Sequence, residues 1–600
     1  MKPWRILTGL FLSLCVTLLC GAGDPPLTVR LAAGGAVKTL DPAQADDLSS
    51  RDIVGAVYDT LLQYDYTARP YKLVPSMLER MPQSDESGKV FTFTLRDDLY
   101  FSADPVFTDR DQRRITSRDV LYSILRIADE HLHSPVYWLF RNKIRGIDDF
   151  RRAAGEISDR AERLKLYDQG IPGFTIIDDR TFRIELEKPD PRFLYTFAIP
   201  NTAIVSRRAE DHYGDRLARH PVGSGPFVLN EWINDYRLVL DRNPDYRYEI
   251  FREATDPRDQ NRPLPLADRL IINQIKQPMS AWLLFLQGNL DVSLLDKDNL
   301  DLVAGGGEKL APALAARGIR LLRFTEFEIR YVGFNFRDPK LGKNLKLRQA
   351  LSYAYNVERR VEHTNHQLLP VQGPIPPGVP GFDEEFRNPF TVYNPELAEQ
   401  LLAEAGYPDG IDPETGEKLH FTYDQTNNTS VYRQMGELAV SDYQLVGVEV
   451  ESVLNNKPRF FEKLRRNQLQ LFRLSWIGDY PDPENFLQLF YSGNIDSCNR
   501  TGYSNPEFDR LYQRIAVMES GEERNRLCRE AAKIVADDCV WIFEGMPVAS
   551  QLQHAWLRNY LPHDFSFVRW KYICTDPELR EKLRSQFTPL NFSELTPDRD

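Results

Sequence analysis

Stretches with strand-like alternation and stretches with helical spacing follow one another along the whole chain, and this pattern limits the possible folds more than any other sequence feature. In KVFTFTLR, Lys89–Arg96, polar and apolar side chains alternate, as they do in TFRIELEKP, Thr181–Pro189. A period of two is typical of a strand with one buried face. Between them, TSRDVLYSILRIADE, Thr116–Glu130, repeats apolar residues at helical spacing. The sequence therefore predicts a mixed α/β fold.

Two helices carry complete start signals. In YNPELAEQLLAEAGYPDG, Asn394 is the predicted N-cap, Pro395 the first helical residue and Gly406 the C-terminal cap. YSNPEFDRLYQRI repeats the start signal with Asn505 and Pro506. An Asn side chain at this position accepts a hydrogen bond from a backbone N–H that the helix itself cannot satisfy. We therefore expect the two helices to begin at these residues.

The centre of the chain contains a third helical pattern and a proline-rich stretch. LKLRQALSYAYNVERRV, residues 345–361, predicts one helix, and RYVGFNFR, residues 330–337, predicts a strand before it. LLPVQGPIPPGVPGF, residues 368–382, contains too many prolines for a helix. It is either a linker or an ordered loop near a cleft. Because the stretch is short and patterned helices flank it, we favour the ordered loop.

The N-terminus has the pattern of an export signal. Lys2 and Arg5 precede an uncharged apolar run, Ile6–Leu19, which is followed by small residues. The run is shorter than the roughly 18 to 20 residues that span a bilayer as a helix, which favours cleavage over a permanent anchor. We expect a signal peptide over residues 1–22 and a mature protein that begins between Gly21 and Asp24. Lipidation at Cys20 stays open as an alternative.

Cysteines are confined to the two ends of the chain. After removal of the signal, the remaining ones all lie in the last fifth: Cys498, Cys528, Cys539 and Cys574. Export permits disulfides, and four cysteines allow three pairings that the sequence does not rank. Equally, some of them could be small buried residues.

Composition and motifs exclude several classes of function. The length of 600 residues suits about four domains of ~150 residues, and a net charge of −12 argues against a nucleic-acid partner. The sequence contains no phosphate-loop motif and no metal-binding motif. Ser224, in VGSGPF, lacks the flanking residues of the GxSxG pattern that marks a serine nucleophile. His363 and His366 in HTNH lack partners of ligand type nearby in sequence and are expected at the surface. We therefore predict no metal and no cofactor.

The stretch SWIGDYPDPENF, Ser475 to Phe486, places Asp479, Asp482 and Glu484 among aromatic residues and prolines. Two carboxylates could supply an acid and a base for hydrolysis. A hydrolytic pair, however, faces across a substrate from different elements, and sequence-adjacent acids rarely do so. For Asp482 and Glu484 we favour turn and helix-start chemistry.

Several segments together resemble the bacterial extracellular solute-binding proteins of family 5, the oligopeptide- and dipeptide-binding components of ABC importers. The loop 103–114 is longer and more charged than is usual in the family, and Asn356 stands where the family commonly has Asp. The matching segments are VYDTLLQYD, FTFTLRDDLYFS, ITSRDVLYSI, PVGSGPFVLNEWINDYRLVLDRNPDYR, VGFNFRDPKLGKNLKLRQALSYAYNVERRV and SWIGDYPDPENF.

The resemblance implies a two-lobed type II periplasmic-binding-protein fold of the α/β class, with an extra subdomain inserted in lobe one. The lobes would close over a ligand at a hinge. The implied division is residues 24–58 for the first part of lobe one, 59–200 for the inserted subdomain, 201–292 for the second part of lobe one, 293–510 for lobe two and 511–600 for the C-terminal part of lobe one.

The resemblance also implies function: a periplasmic, non-enzymatic, monomeric protein that captures a peptide and delivers it to an ABC permease. Asp479 matches the family residue that pairs with the ligand's α-ammonium, and Trp476 matches an aromatic that walls the cleft. Gly478, which lets the backbone come close, and Tyr480 complete the expected ligand-binding set. An oligosaccharide or a metal complex in the same fold, and a secreted hydrolase, remain the alternatives.

Overall fold

The computed structural model of the chain describes residues 26–305, 309–590 and 594–595. The predicted signal peptide, residues 1–22, lies outside the described residues. Among the helices that the structure describes, none is long and apolar enough to cross a membrane.

Strands occur from one end of the described chain to the other. They are β1 (Thr28–Ala33), β2 (Leu62–Tyr64), β3 (Leu73–Pro75), β4 (Gln83–Ser84), β5 (Val90–Thr94), β6 (Phe174–Ile176), β7 (Thr181–Glu185), β8 (Phe227–Ile233), β9 (Arg237–Arg242), β10 (Ile250–Phe251), β11 (Arg262–Pro263), β12 (Arg269–Gln274), β13 (Val292–Leu295), β14 (Ile319–Thr325), β15 (Glu328–Phe334), β16 (Leu368–Leu369), β17 (His420–Gln425), β18 (Glu449–Leu454), β19 (Leu471–Ile477), β20 (Trp541–His554), β21 (Leu557–Arg558) and β22 (Cys574–Thr575).

Helices alternate with these strands, which confirms the predicted mixed α/β class. They are α1 (Leu48–Val57), α2 (Ser117–Ala128), α3 (Ile147–Glu156), α4 (Arg160–Gln169), α5 (Arg207–Tyr213), α6 (Pro278–Leu286), α7 (Lys297–Ala304), α8 (Pro312–Ala316), α9 (Leu345–Ala354), α10 (Val357–His363), α11 (Pro395–Glu404), α12 (Ser430–Leu445), α13 (Lys457–Arg465), α14 (Glu484–Leu487), α15 (Pro506–Ile515), α16 (Glu522–Asp537) and α17 (Pro577–Arg584).

Six sheets form among the described residues, and the three with four or more strands organise the fold. A four-stranded sheet has the order β1-β12-β9-β8, with β1 and β12 parallel and the other neighbours antiparallel. A second four-stranded sheet, β4-β5-β7-β6, is antiparallel and comes from the segment predicted as the inserted subdomain. The largest sheet has eight strands in the order β13-β20-β15-β19-β17-β18, and β14 and β16 also pair with β20.

Strand β20 crosses one predicted lobe boundary. It lies in the segment 511–600, which the family resemblance assigns to lobe one, yet it pairs with β15 and β14 of the segment 293–510. The chain therefore enters the sheet of predicted lobe two along β20. The division into lobes and subdomain stays a prediction.

Local signals predicted several elements correctly and one incorrectly. The side chain of Asn394 accepts a hydrogen bond from Leu397 N at 3.0 Å, which confirms the start of α11, and Asn505 caps α15 in the same way. The single helix predicted over residues 345–361 is wrong, because the structure divides it into α9 and α10. The break falls at Asn356, whose side chain accepts from Arg359 N at 2.9 Å and so begins a new helix.

The four cysteines among the described residues are all unpaired. Cys528, Cys539 and Cys574 are buried and Cys498 is half-buried. Burial raises the pKa of each of these thiols, which favours the neutral form. The structure therefore supports the interpretation as small buried side chains.

Candidate functional site

The candidate site lies where β19 ends and the chain turns toward α14. The last residues of β19 pair with β15, so that Trp476 lies opposite Ile329 and Ile477 opposite Glu328. The next residues leave the sheet, and α14 begins at Glu484. We call residues 475–487 the cleft segment, because most of the polar groups described below converge on it.

Gly478 brings the cleft segment into direct contact with Phe327. Its N–H donates to the carbonyl oxygen of Phe327 at 2.9 Å. A Cβ at this position would lie 2.3 Å from the Phe327 ring and 3.1 Å from that of Phe486. Because both rings are buried and pack against each other, they have little room to move. The position therefore requires glycine for close packing.

Asn485 orders the polar groups of the cleft segment. It is fully buried, and its Oδ1 accepts from Trp476 Nε1 at 2.9 Å and from the backbone N of Asp479 at 3.2 Å. Its Nδ2, although buried, makes no hydrogen bond among the described residues. A buried donor without a partner is costly, so an unmet donor here suits a ligand or a water molecule.

Asp482 is neutralised within the protein. Its carboxylate forms two hydrogen bonds with Arg524, at 2.7 and 2.8 Å, and both side chains are buried. Its Oδ1 also accepts from Glu484 N at 2.9 Å, which confirms the predicted turn chemistry. A two-point pairing with an arginine is among the strongest side-chain interactions. Asp482 is therefore a structural residue.

Glu484 is neutralised as well. It forms an ion pair with Arg192 at 3.0 Å and accepts a hydrogen bond from Tyr480 Oη at 2.8 Å and another from Tyr512 Oη. This arrangement extends well beyond the helix-start role that the sequence predicted. It also turns the hydroxyl of Tyr480 toward the protein interior.

Asp479 differs from the two neighbouring acids. Among the described residues, no Lys, Arg or His nitrogen lies within 4.0 Å of its carboxylate. Burial raises the pKa of the Asp479 carboxyl above its usual value, while the nearby Asn485 amide and the charge of Arg51 oppose the rise. The side chain is half-buried. It is thus a partly desolvated acid without a counter-charge.

A row of aromatic rings borders the site. Tyr480 stacks on Tyr195 with ring centroids 5.4 Å apart, and Tyr195 stacks on Tyr64 at 6.4 Å. The hydroxyl of Tyr64 is buried without a hydrogen-bond partner among the described residues. Burial, reinforced by the negative charges of Asp479 and Asp482, raises the pKa of Tyr64 well above its usual value. Tyr64 therefore stays a neutral hydrogen-bond donor.

A groove of about 920 Å³ is lined by Phe327, Tyr71, Asp564 and residues 377–380 of the proline-rich stretch. This supports the prediction that the stretch 368–382 is an ordered loop beside a cleft. Asp479 is not among the lining residues of this groove.

The other residues with possible metal chemistry do not form a centre. His366 is exposed, as predicted, whereas His363 is half-buried and contacts the side-chain oxygen of Gln434 at 3.1 Å. Within the described ranges, no group of three or more His, Cys, Asp or Glu side chains is arranged to hold a metal ion.

The structure keeps the predicted site residues together and adds neighbours that the sequence did not indicate. Trp476, Gly478, Asp479 and Tyr480 are adjacent in the chain, and the structure keeps them together at the end of β19. Arg51 and Tyr64 come from the first part of the chain, and no sequence signal connected them with this segment. Asn485 lies within the quoted stretch, and its position in the first turn of α14 was the one available clue.

Comparison with known proteins shows which chains this one is similar to. Heme-binding protein A of Haemophilus influenzae is 27% identical over 531 residues, covering 87% of each chain. The periplasmic oligopeptide-binding protein OppA of Salmonella typhimurium is 25% identical and covers 95% of this chain and 98% of its own. The solved structure of HbpA2 from Haemophilus parasuis superposes with a TM-score of 0.71 at 21% identity, covering 92% of this chain and 99% of that one.

These comparisons and the sheet order define the class: the protein has the type II periplasmic-binding-protein fold. The chain belongs to the bacterial extracellular solute-binding proteins, family 5, whose middle region matches residues 72–497. The relatives named above are binding proteins by name, not enzymes.

Proposed function

We propose that this protein is the solute-binding component of an ABC importer, which captures peptides outside the cytoplasmic membrane and delivers them to the permease. The proposal is supported by family membership and by relatives named as oligopeptide-binding and di/tripeptide-binding proteins. Residues 24–58, 201–292 and 511–600 would form lobe one, 59–200 its inserted subdomain and 293–510 lobe two, with the ligand enclosed between the lobes.

The observation that carries the peptide proposal is the uncompensated carboxylate of Asp479. A peptide has a free α-ammonium, and enclosing that charge in a cleft is costly unless an opposite charge is fixed beside it. Asp482 and Glu484 already have arginine partners, whereas Asp479 has none among the described residues. Asp479 is therefore the carboxylate of this segment that is available to a cationic ligand.

The neighbouring residues suit a peptide as well. Trp476 is half-buried, and its hydrogen bond to Asn485 fixes the ring so that contact with a ligand side chain loses little entropy. Ile477 is 67% exposed at the end of β19, where its side chain is free to contact a ligand. Gly478 and the stacked ring of Tyr480 hold the loop in place. We assign these residues, with Asp479, to the ligand site.

Localisation and assembly belong to the same proposal. The protein would be exported by the signal over residues 1–22 and act in the periplasm as a monomer, either free or held to a membrane through a lipid on Cys20. Mass spectrometry of the native N-terminus distinguishes cleavage between Gly21 and Asp24 from a lipidated Cys20.

The test of function compares Asp479→Asn with wild-type protein by calorimetry. The substitution preserves shape and removes charge, so we expect free-amine peptides to lose about 2 to 5 kcal/mol of binding free energy, or roughly thirtyfold to several thousandfold in affinity. Peptides acetylated at the N-terminus should bind wild-type protein poorly and lose little more in the variant.

Asp291→Asn is the matched control. Asp291 is also buried, and burial raises the pKa of its carboxyl, but its partners are Trp556 Nε1 and the backbone N of Arg30. Peptide affinity should be unchanged in this variant. If Asp479→Asn binds free-amine peptides as tightly as wild-type protein does, Asp479 does not anchor an amine and the peptide proposal loses its support.

A further inference from the structure

One ion pair connects the cleft segment with the segment predicted as the inserted subdomain, residues 59–200. Arg192 pairs with Glu484 at 3.0 Å, and the exposed fractions of the two side chains are 14% and 8%. In the proposed division, Arg192 belongs to lobe one and Glu484 to lobe two. The pair therefore joins the two proposed lobes beside the proposed ligand site.

Arg192 makes further contacts that fix its position. Its Nε and its backbone N both donate to Asp190 Oδ1, at 3.0 and 3.1 Å, which holds the guanidinium from its own side of the boundary. Its Nη2 donates to the carbonyl oxygen of Ala516 at 2.7 Å. Ala516 caps the C-terminal end of α15, and a cation at this end of a helix interacts favourably with the helix dipole. Arg192 thus contacts α15 as well as Glu484 of α14.

Helix α15 belongs with the cleft segment. The predicted boundary between residues 510 and 511 falls inside this helix, Pro506–Ile515, and a helix moves as one rigid piece. Tyr512 of α15 donates its hydroxyl to Glu484, and α14 and α15 contact each other. Ala516 therefore moves together with Glu484, and both contacts of Arg192 lead to the same body.

An aromatic contact joins the same two parts of the molecule. Tyr195 stacks on Tyr480 of the cleft segment with ring centroids 5.4 Å apart and an interplanar angle of 8°. Tyr480 donates its hydroxyl to Glu484 at 2.8 Å, so the stack and the ion pair meet at one carboxylate. We call Arg192 and Tyr195 the clasp.

The clasp lies where a movement of the proposed lobes would break it. Hinge closure brings parts of two lobes together around a ligand, and opening separates them again. Opening would part Arg192 from Glu484, and a buried charge that loses its partner is costly. An enclosed ligand leaves only after the cleft opens, so contacts between the lobes slow its release without touching it.

We propose that Arg192, together with Tyr195, is a positioning residue that holds the cleft segment against residues 59–200 and keeps the cleft closed over a bound peptide. This inference rests on the proposed function and adds to it a determinant of residence time. Because the clasp acts on closure and does not contact the ligand, it should slow the release of every peptide by the same factor. Asp479, in contrast, should distinguish peptides by the charge at their N-terminus.

The test measures association and dissociation rates of trialanine and trileucine by surface plasmon resonance on immobilised protein. We expect Arg192→Gln to release both peptides at least about tenfold faster than wild-type protein, as for the loss of one close charge pair across an interface, with association rates unchanged. Arg192→Lys keeps the charge and should recover part of the loss. Tyr195→Ala removes the stack but no charge, and it should also release both peptides faster.

Arg113→Gln is the matched control. Arg113 pairs with Asp245 at 2.6 Å, and its side chain is 12% exposed, close to the value for Arg192. Both partners of this pair belong to the proposed lobe one. The variant therefore removes a similar ion pair without affecting the contact between the lobes, and it should release both peptides at the wild-type rate.

The outcomes separate this inference from the proposed function. Wild-type dissociation rates in Arg192→Gln overturn the clasp, and weaker binding by Asp479→Asn then leaves the peptide function intact. If Arg192→Gln does not fold, wild-type rates in Tyr195→Ala overturn the clasp in the same way. A factor that differs between trialanine and trileucine also overturns it, because this would indicate direct contact with the ligand.

Failure of wild-type protein to bind either peptide counts against the proposed function. The clasp is then decided by small-angle scattering on ligand-free protein. A larger radius of gyration for Arg192→Gln than for wild-type protein and Arg113→Gln supports it, and equal radii overturn it.

Discussion

The two halves of the cleft segment both contain acidic residues but differ in what pairs with them. In the first half, residues 475–480, Asp479 has no counter-charge among the described residues, and Ile477 is largely exposed. In the second half, residues 481–487, Asp482 and Glu484 are buried and paired with arginines from distant parts of the chain. Within one loop, therefore, two acids are neutralised by the protein and one is left for the proposed ligand.

The comparison teaches that the partner of a charge, more than its burial, indicates its role. A buried carboxylate paired with an arginine makes the chain rigid, and removal of either partner leaves a desolvated charge. A partly buried carboxylate without a partner costs stability in the ligand-free protein. Such a residue is best explained by a ligand that supplies the missing charge. The predictions below test this contrast.

The largest expected effect is on folding. Asp482→Asn removes one partner of a buried two-point ion pair and leaves Arg524 uncompensated, so the free energy of unfolding should fall by about 3 to 5 kcal/mol. Asp479→Asn, which removes an unpaired carboxylate, should leave it unchanged or slightly higher at pH 7. Urea unfolding of both variants measures the two changes in the free energy of unfolding. Equal destabilisation by the two substitutions would contradict the division between the halves.

Ligand affinity should depend on pH through Asp479. Because burial raises the pKa of this carboxyl above its usual value, the ligand-free protein takes up a proton there at a higher pH than an ordinary Asp does, and in that pH range an incoming ammonium must displace it. Affinity should therefore be full above the raised pKa and fall by up to about tenfold per pH unit as pH drops through it. Calorimetry across this pH range, on wild-type protein and on Asp479→Asn, measures whether peptide affinity depends on this carboxyl. The variant should show no such fall above pH ~4, where the peptide's own carboxylate stays ionised.

A substitution at Gly478 tests how tightly the first half is packed. The Cβ of Gly478→Ala would lie 2.3 Å from the Phe327 ring, so we expect a loss of about 1 to 3 kcal/mol in the free energy of unfolding from overpacking. Gly521→Ala, at a position where a Cβ meets nothing within 4 Å, is the control for the change in backbone freedom. Chemical unfolding should show a large loss only for the first. A neutral Gly478→Ala would mean that Phe327 has room to move.

The smallest effect is expected at Trp476. Trp476→Phe keeps an aromatic ring but removes the hydrogen bond from Nε1 to Asn485 Oδ1, and we expect a stability loss of about 0.5 to 1.5 kcal/mol. Peptide affinity should fall modestly, because the loop loses part of its order. Thermal unfolding together with calorimetry separates the two effects. A loss of affinity as large as that of Asp479→Asn would mean that the Trp476 ring contributes as much to ligand binding as the Asp479 carboxylate does.

The sequence predicted local structure well wherever the signal is local. Asn394 and Asn505 begin their helices as expected, because an N-cap needs only a side chain and the next backbone N–H groups. The same physics explains the error at Asn356. That Asn caps α10 and divides a pattern that periodicity alone interprets as one helix. The spacing of apolar residues does not reveal where one helix ends and the next begins, because both helices bury apolar residues.

The candidate site was predicted only in part. Its four assigned residues are contiguous, so a family motif was sufficient to find them. The partners of the two neighbouring acids are distant in the chain: Arg524 lies 42 residues from Asp482, and Arg192 is further still from Glu484. The sequence shows three similar acids and gives no means of telling which one lacks a partner.

The sequence by itself determined the mixed α/β class, the starts of α11 and α15, the family and the candidate segment. These follow from local periodicity, capping and a contiguous motif, which depend on residues near each other in the chain. Only the tertiary structure decided that Asp482 and Glu484 are neutralised by arginines and that Asp479 has no ion-pair partner among the described residues. Charge compensation acts through space over a few ångströms, and the fold alone determines which distant residues come within that range.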